Sequence, residues 1–125
     1  MIVDITKAEF EVLNAIWQGS PCSASDIFAR LGDQVEWHEK TVKTLLGRLV
    51  KKQAIGFRKE KRHYLYFPML AKEAFQQKES TNLLNKLFGG KISPLVASFA
   101  SQKQLDKDDV EQLKKLIADW EQDND

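Results

Sequence analysis

The chain has 125 residues, 42% apolar and 30% charged, with a formal net charge of +1, which suits one folded domain, or a small domain with an extension, and supports a folded core. Its apolar runs are too short to cross a bilayer, and MIVDITKAEF has neither the basic nor the apolar region of a leader, so neither membrane insertion nor a signal peptide is expected. A single cysteine, Cys22, cannot close an internal disulfide and fits a reducing, cytoplasmic location.

In chain order, Thr6-Lys-Ala-Glu9 is a capping box. It opens a helix with Phe10, Leu13, Ile16 and Trp17 inward, ending near Gly19. Ser20-Pro21 predicts a turn. Ser23-Ala-Ser-Asp26 predicts a second cap, followed by a short helix through Ile27, Phe28 and Leu31 that Gly32-Asp33 breaks. Val35-Glu36-Trp37 is a linker, and a third helix runs from about His38 or Glu39 to Lys52. Its apolar residues Val42, Leu45, Leu46, Leu49 and Val50 fall at helical spacing on one stripe. A tight turn is expected at Gly56. Strand-like runs Ala54–Glu60 and Arg62–Phe67 join at Glu60-Lys61, and Pro68 closes the second. Alternation alone leaves open which hairpin face is inward, though Tyr64 and Tyr66 are expected to lean on the helices rather than on a ligand.

From Leu70 the pattern is helical again. Leu70–Phe88 ends at Gly89-Gly90, Ile92–Ser101 carries Pro94 in its first turn, and Asp106-Lys-Asp-Asp109 opens a last helix with Val110, Leu113, Ile117 and Trp120 on one side. The tail EQDND is expected to fray. The fold class is therefore mainly α with a small β-hairpin: a winged helix-turn-helix over residues 1–69, then a three-helix region over 70–125. The back piece is small for a core of its own. A second copy is the economical partner for its apolar residues Leu84, Leu87, Phe88, Leu95, Val96, Phe99, Val110, Leu113, Ile117 and Trp120, giving a homodimer.

Charge is concentrated in one place. From His38 to Arg62 there are nine cations against Glu39 and Glu60, a local +7 in a chain of +1. That is the footprint of a polyanion-binding surface. On the third helix Thr41, Thr44 and Arg48 are candidates for the floor of a DNA groove, because arginine pairs with guanine and threonine meets thymine methyls or phosphate. Lys40, Lys43 and Lys51 suit phosphates. The wing cations Arg58, Lys59, Lys61 and Arg62 suit the flanking backbone. Two such units about one helical turn apart read a palindrome.

Cys22 precedes a helix start, where a thiolate is favoured, but a lone small thiol is more often packing. His38 and His63 lack acidic partners at ligand spacing, so no metal site is expected. Phe88, Phe99 and Trp120 could line an effector pocket, but helical spacing makes them dimer core. No catalytic triad, paired carboxylates or phosphate-binding glycine loop stands out, so neither an enzyme nor a cofactor is expected. The stronger rival is a winged helix used as a protein-interaction module, which predicts acids scattered over the third helix and an uncharged wing.

The stretches ITKAEFEVLNAIW, EWHEKTVKTLLGRLVKKQAI, KEKRHYLYFP, SPLVASF and QLDKDDVEQL resemble, in the same order, the BlaI/MecI/CopY family of bacterial repressors. Trp37–Leu49, with Lys40-Thr41-Val42, Thr44-Leu45 and Arg48-Leu49, is the most specific part. The resemblance implies an N-terminal winged helix, a C-terminal helical dimerisation domain, and binding to dyad operators in double-stranded DNA ahead of resistance or metal-homeostasis genes. It also implies, for the BlaI and MecI branch, derepression by a membrane sensor-protease that cuts an Asn-Phe bond in the dimerisation domain. Ser98-Phe99 stands at that place here. The Cys-x-Cys pairs of the copper-responsive branch are absent. Relatives often have Ser as the cap before position 39; this chain has His38.

Overall fold

The computed structural model describes residues 4–124; expectations touching Met1, Ile2, Val3 and Asp125 fall outside them. The order is α1 (Lys7–Trp17), α2 (Ala24–Leu31), a 3-10 turn (Gly32–Gln34), α3 (Glu39–Lys51), β1 (Ile55–Glu60), β2 (His63–Pro68), α4 (Lys72–Phe88), α5 (Ile92–Ser101) and α6 (Lys107–Asp123). Two compact units divide at Gln76, inside α4.

In the first unit both predicted capping boxes form. Thr6 Oγ1 accepts from the Glu9 amide at 3.1 Å while Glu9 Oε1 accepts from the Thr6 amide at 2.8 Å. Ser23 and Asp26 exchange the same pair of bonds, each at 3.1 Å. Such reciprocal bonds satisfy amides that a helix start leaves without partners. Gly32 then closes α2 at φ +53°, a conformation suited to glycine. The α3 cap is plainer: His38 has the extended backbone of a cap but makes no side-chain bond.

The core joins Val12, Leu13 and Ile16 of α1, Ile27 and Leu31 of α2, Val42, Leu45, Leu46 and Leu49 of α3, and Ile55 of β1. Four of the five predicted α3 stripe residues are buried, and Val50 is half-buried. In α1, Leu13 and Ile16 are buried as expected, whereas Phe10 and Trp17 are half-buried and take a different partner. Phe75 of α4 stacks on Phe10 (centroids 5.5 Å) and sits 5.7 Å from Trp17, whose indole N–H donates to Leu70 O at 3.0 Å. Phe28, between buried Ile27 and Leu31, is 38% exposed.

β1 and β2 form one antiparallel hairpin with Ile55 opposite Pro68 and Glu60 opposite His63. The expected turn at Gly56 is not there. Gly56 lies inside β1 opposite Phe67, and the chain turns earlier, at Gln53 with φ +64°. Glycine is needed at 56 for proximity: a Cβ would come within 2.7 Å of the Phe67 ring. The face left open by alternation is settled by Ile55, which is buried, and Tyr66, which packs on the core. Tyr64, on the same face, is covered less than Tyr66: it stays 47% exposed, with its ring edge-on to Phe57. Tyr66 also exchanges backbone bonds with Cys22 at 3.0 and 2.7 Å, tying the hairpin to the start of α2.

In the second unit Gly89 and Gly90 end α4 with positive φ. Asp106 caps α6 by accepting from the Asp109 amide at 2.8 Å. The tail is helical to Asp123 rather than frayed, and Asn124 Nδ2 closes it on Trp120 O at 2.8 Å. No described residue from 77 onward is fully buried. No helix among the described residues is long and apolar enough to cross a membrane.

Candidate nucleic-acid interface

The exposed face of α3 is the centre of the site. Burying Val42, Leu45, Leu46 and Leu49 forces Lys40, Thr41, Lys43, Thr44, Arg48 and Lys51 outward, and all six are exposed. None of the four cations forms an ion pair with a described residue. Thr44 Oγ1 donates back to Lys40 O at 3.1 Å, so its hydroxyl is engaged within the helix, while Thr41 makes no side-chain bond. Gly47, on the same face, has open space around the position of a Cβ.

The wing divides its cations. Arg58 and Glu60 share one face of β1 and pair at 3.1 Å, both more than half exposed. Lys59 stands opposite Tyr64 on the other face, and Lys61 and Arg62 form the turn, Lys61 at φ +56°. Lys59, Lys61 and Arg62 are unpaired among the described residues. Between wing and helices lies a cleft of about 360 Å³, lined by Ser23, Ser25, Glu39, Lys43, Arg62, His63 and Tyr64 among others. Sequence reasoning named Lys43 and Arg62 but missed their neighbours. The capping box marked the start of α2, yet only the Cys22–Tyr66 bridge brings β2 beside it.

Lys52, counted in the basic stretch, is not part of this surface. Its ammonium lies 2.5 Å from Glu9 Oε1 and donates to Asp4 O at 2.8 Å. Glu9 is the buried charged residue of the core, 1% exposed. Burial alone would raise its carboxyl, but hydrogen bonds from Lys52 and Thr6 outweigh that and hold it below the usual carboxylate value. The pair pins the end of α3 to the start of α1. Cys22 is buried, and burial pushes its thiol up, away from the thiolate a redox switch needs. Among the described residues no three His, Cys, Asp or Glu side chains gather where they could hold a metal.

In the second unit the residues expected at a dimer contact are incompletely covered. Leu84, Phe88, Leu95, Val96, Val110 and Leu113 are half-buried; Leu87, Phe99, Ile117 and Trp120 are 59%, 43%, 58% and 64% exposed. Ser98 is half-buried inside α5, and its carbonyl accepts from Ser101 Oγ at 3.0 Å.

A family model described as penicillinase repressor matches residues 5–119. The chain belongs to the penicillinase repressor family. This family is one of transcriptional repressors and not of enzymes. The chain is 32% identical over 114 residues to the methicillin resistance regulatory protein MecI of Staphylococcus aureus strain N315, covering 91% of this chain and 93% of MecI. It is 33% identical over 117 residues to the penicillinase repressor of Staphylococcus aureus, covering 94% and 93%. Among solved structures it is similar to the monomeric form of Bacillus licheniformis BlaI in complex with the blaP half-operator. That match has 34% identity and a TM-score of 0.51 and covers 59% of this chain and 90% of the other. The family resemblance and the winged-helix fold read from the sequence both hold.

Proposed function

We propose that this penicillinase repressor family member is a cytoplasmic, homodimeric repressor that binds a palindromic operator in double-stranded DNA. The observation that carries the reading is the α3 face: exposed cations without acidic partners, beside an equally basic wing. The BlaI relative solved on a half-operator supports it. In this reading residues 1–69 bind DNA and residues 70–125 dimerise. Each α3 enters a major groove with Thr41, Thr44 and Arg48 toward base edges and Lys40, Lys43 and Lys51 toward phosphates. Arg58, Lys59, Lys61 and Arg62 of the wing hold the flanking backbone, Arg58 exchanging Glu60 for phosphate. Two copies placed about one helical turn (~10 bp) apart exclude polymerase from an overlapping promoter.

The dimer part rests on a unit with no fully buried side chain among the described residues and with Leu87, Ile117 and Trp120 more than half exposed. Completing the burial of each is worth roughly 1–2 kcal/mol, counted twice in a symmetric pair. Release from DNA by a membrane sensor-protease would act at Ser98–Phe99, where this chain lacks the asparagine of the Asn-Phe bond cut in the BlaI and MecI branch. The exposed Phe99 supports access, and the bond lies in α5, which must unwind locally before it is cut.

The test is a titration onto the DNA upstream of the chain's own gene at two salt concentrations. Each phosphate neutralised contributes a slope of about −0.9 to log K against log salt, so a steep loss of affinity is expected. A salt-independent interaction, or none at low salt, would favour the protein-interaction module instead.

A further inference from the structure

Two acids stand in the basic stretch from His38 to Arg62, and they are treated differently. Glu60 is neutralised by Arg58 at 3.1 Å. Glu39 is exposed and has no hydrogen bond or ion pair with any described residue, although Lys43 and Arg62 line the same cleft. It is the first residue of α3. Some benefit is local, since a carboxylate at a helix start meets the positive end of the macrodipole, and His38 supplies no side-chain cap. On a surface that meets a polyanion the same carboxylate is repelled by every phosphate.

What it can accept from is narrow. A carboxylate only accepts hydrogen bonds. In the major groove guanine N7 and O6 and thymine O4 are acceptors and repel it. Adenine offers an amino group beside the N7 acceptor, whereas cytosine offers its N4 amino group alone. The first turn of a recognition helix is also the part that reaches base edges. On the repressor reading above, we infer that Glu39 is a specificity determinant: its carboxylate accepts from the N4 amino group of a cytosine at one position of each half-site, and rejects guanine and thymine there. The lysines then supply affinity without discrimination, while the one free acid adds discrimination at its position at the expense of affinity.

The experiment is selection of binding sites from a randomised duplex library by the full-length wild-type chain, Glu39→Gln and Glu39→Ala, with a thermal melt of each. In the selected motif, wild type is expected to show one position per half-site at which cytosine is preferred about tenfold or more. Glu39→Gln should lose that preference or shift it to adenine, whose N6 and N7 suit an amide. Glu39→Ala should be indifferent there and bind unrelated DNA more tightly, with the other positions unchanged. If both variants select the wild-type motif at every position, with only a uniform change in affinity or a lower melting temperature, Glu39 is a helix-start residue and the inference falls alone. If wild type selects no motif at all, the inference falls together with the repressor reading.

Discussion

Replacing Lys52 by Ala tests whether the α1–α3 clamp is energetically what its geometry implies. Glu9 is 1% exposed and Lys52 is 30% exposed by side chain. Removing the lysine leaves a buried carboxylate whose remaining donor is the Thr6 amide. Breaking a buried pair from one side costs about 3–5 kcal/mol; the partial exposure of Lys52 brings the expectation below that range, to about 2–3 kcal/mol. For a unit of this size that is a fall in Tm of roughly 10–20 °C. Glu9→Gln should cost less, because the amide oxygen can still accept from Thr6 and the orphaned ammonium can turn to water.

The pH dependence carries a sign that packing loss alone does not. Glu9 is held below its unfolded value, about 4.3, so its contribution is present above that pH and is lost as pH falls through the folded pKa. Without Lys52 the largest lowering influence is gone while burial and the Thr6 bonds remain, so the folded pKa moves up. The Lys52→Ala deficit should then shrink as pH falls from 7 toward 4. Urea unfolding followed by the fluorescence of Trp17 and Trp37 at several pH values measures this. A variant within about 0.5 kcal/mol of wild type at pH 7, or a deficit that does not change with pH, would refute the argument.

Arg48→Ala should weaken operator binding by about 1–3 kcal/mol and relax preference at one base if Arg48 reads a guanine; equal losses on all sequences, by competition binding, would assign it to phosphate. Leu113→Asp with Ile117→Asp should give monomers on sizing while helical circular dichroism is retained, and an unchanged elution volume would refute that dimer face. Gly56→Ala should cost about 1–3 kcal/mol in urea unfolding, because its Cβ would meet the Phe67 ring at 2.7 Å; a neutral result would mean that the ring has room to move.

The helices and their caps were legible because both are local. Thr6–Glu9 and Ser23–Asp26 are bonds within one turn, and the α3 stripe follows from helical period alone. What was not legible depends on distant residues. Gly56 reads as a turn until Phe67 is seen lying against it. Lys52 reads as one more surface cation until α1 brings Glu9 to it, 43 residues away. Phe10 and Trp17 read as core of α1 against its neighbours, but their partner is Phe75 of α4. In the candidate interface the outward cations follow from the inward leucines. The cleft does not, because it needs β2 placed beside α2 by the Cys22–Tyr66 bridge.

The central claim, two α3 faces on one dyad, is tested most directly by footprinting the full-length chain on the DNA upstream of its own gene with excess unrelated competitor. The account predicts a protected inverted repeat overlapping the promoter, with two strongly protected clusters about one helical turn apart (~10 bp). Binding that competitor removes, or protection of a single half-site at saturation, would contradict it.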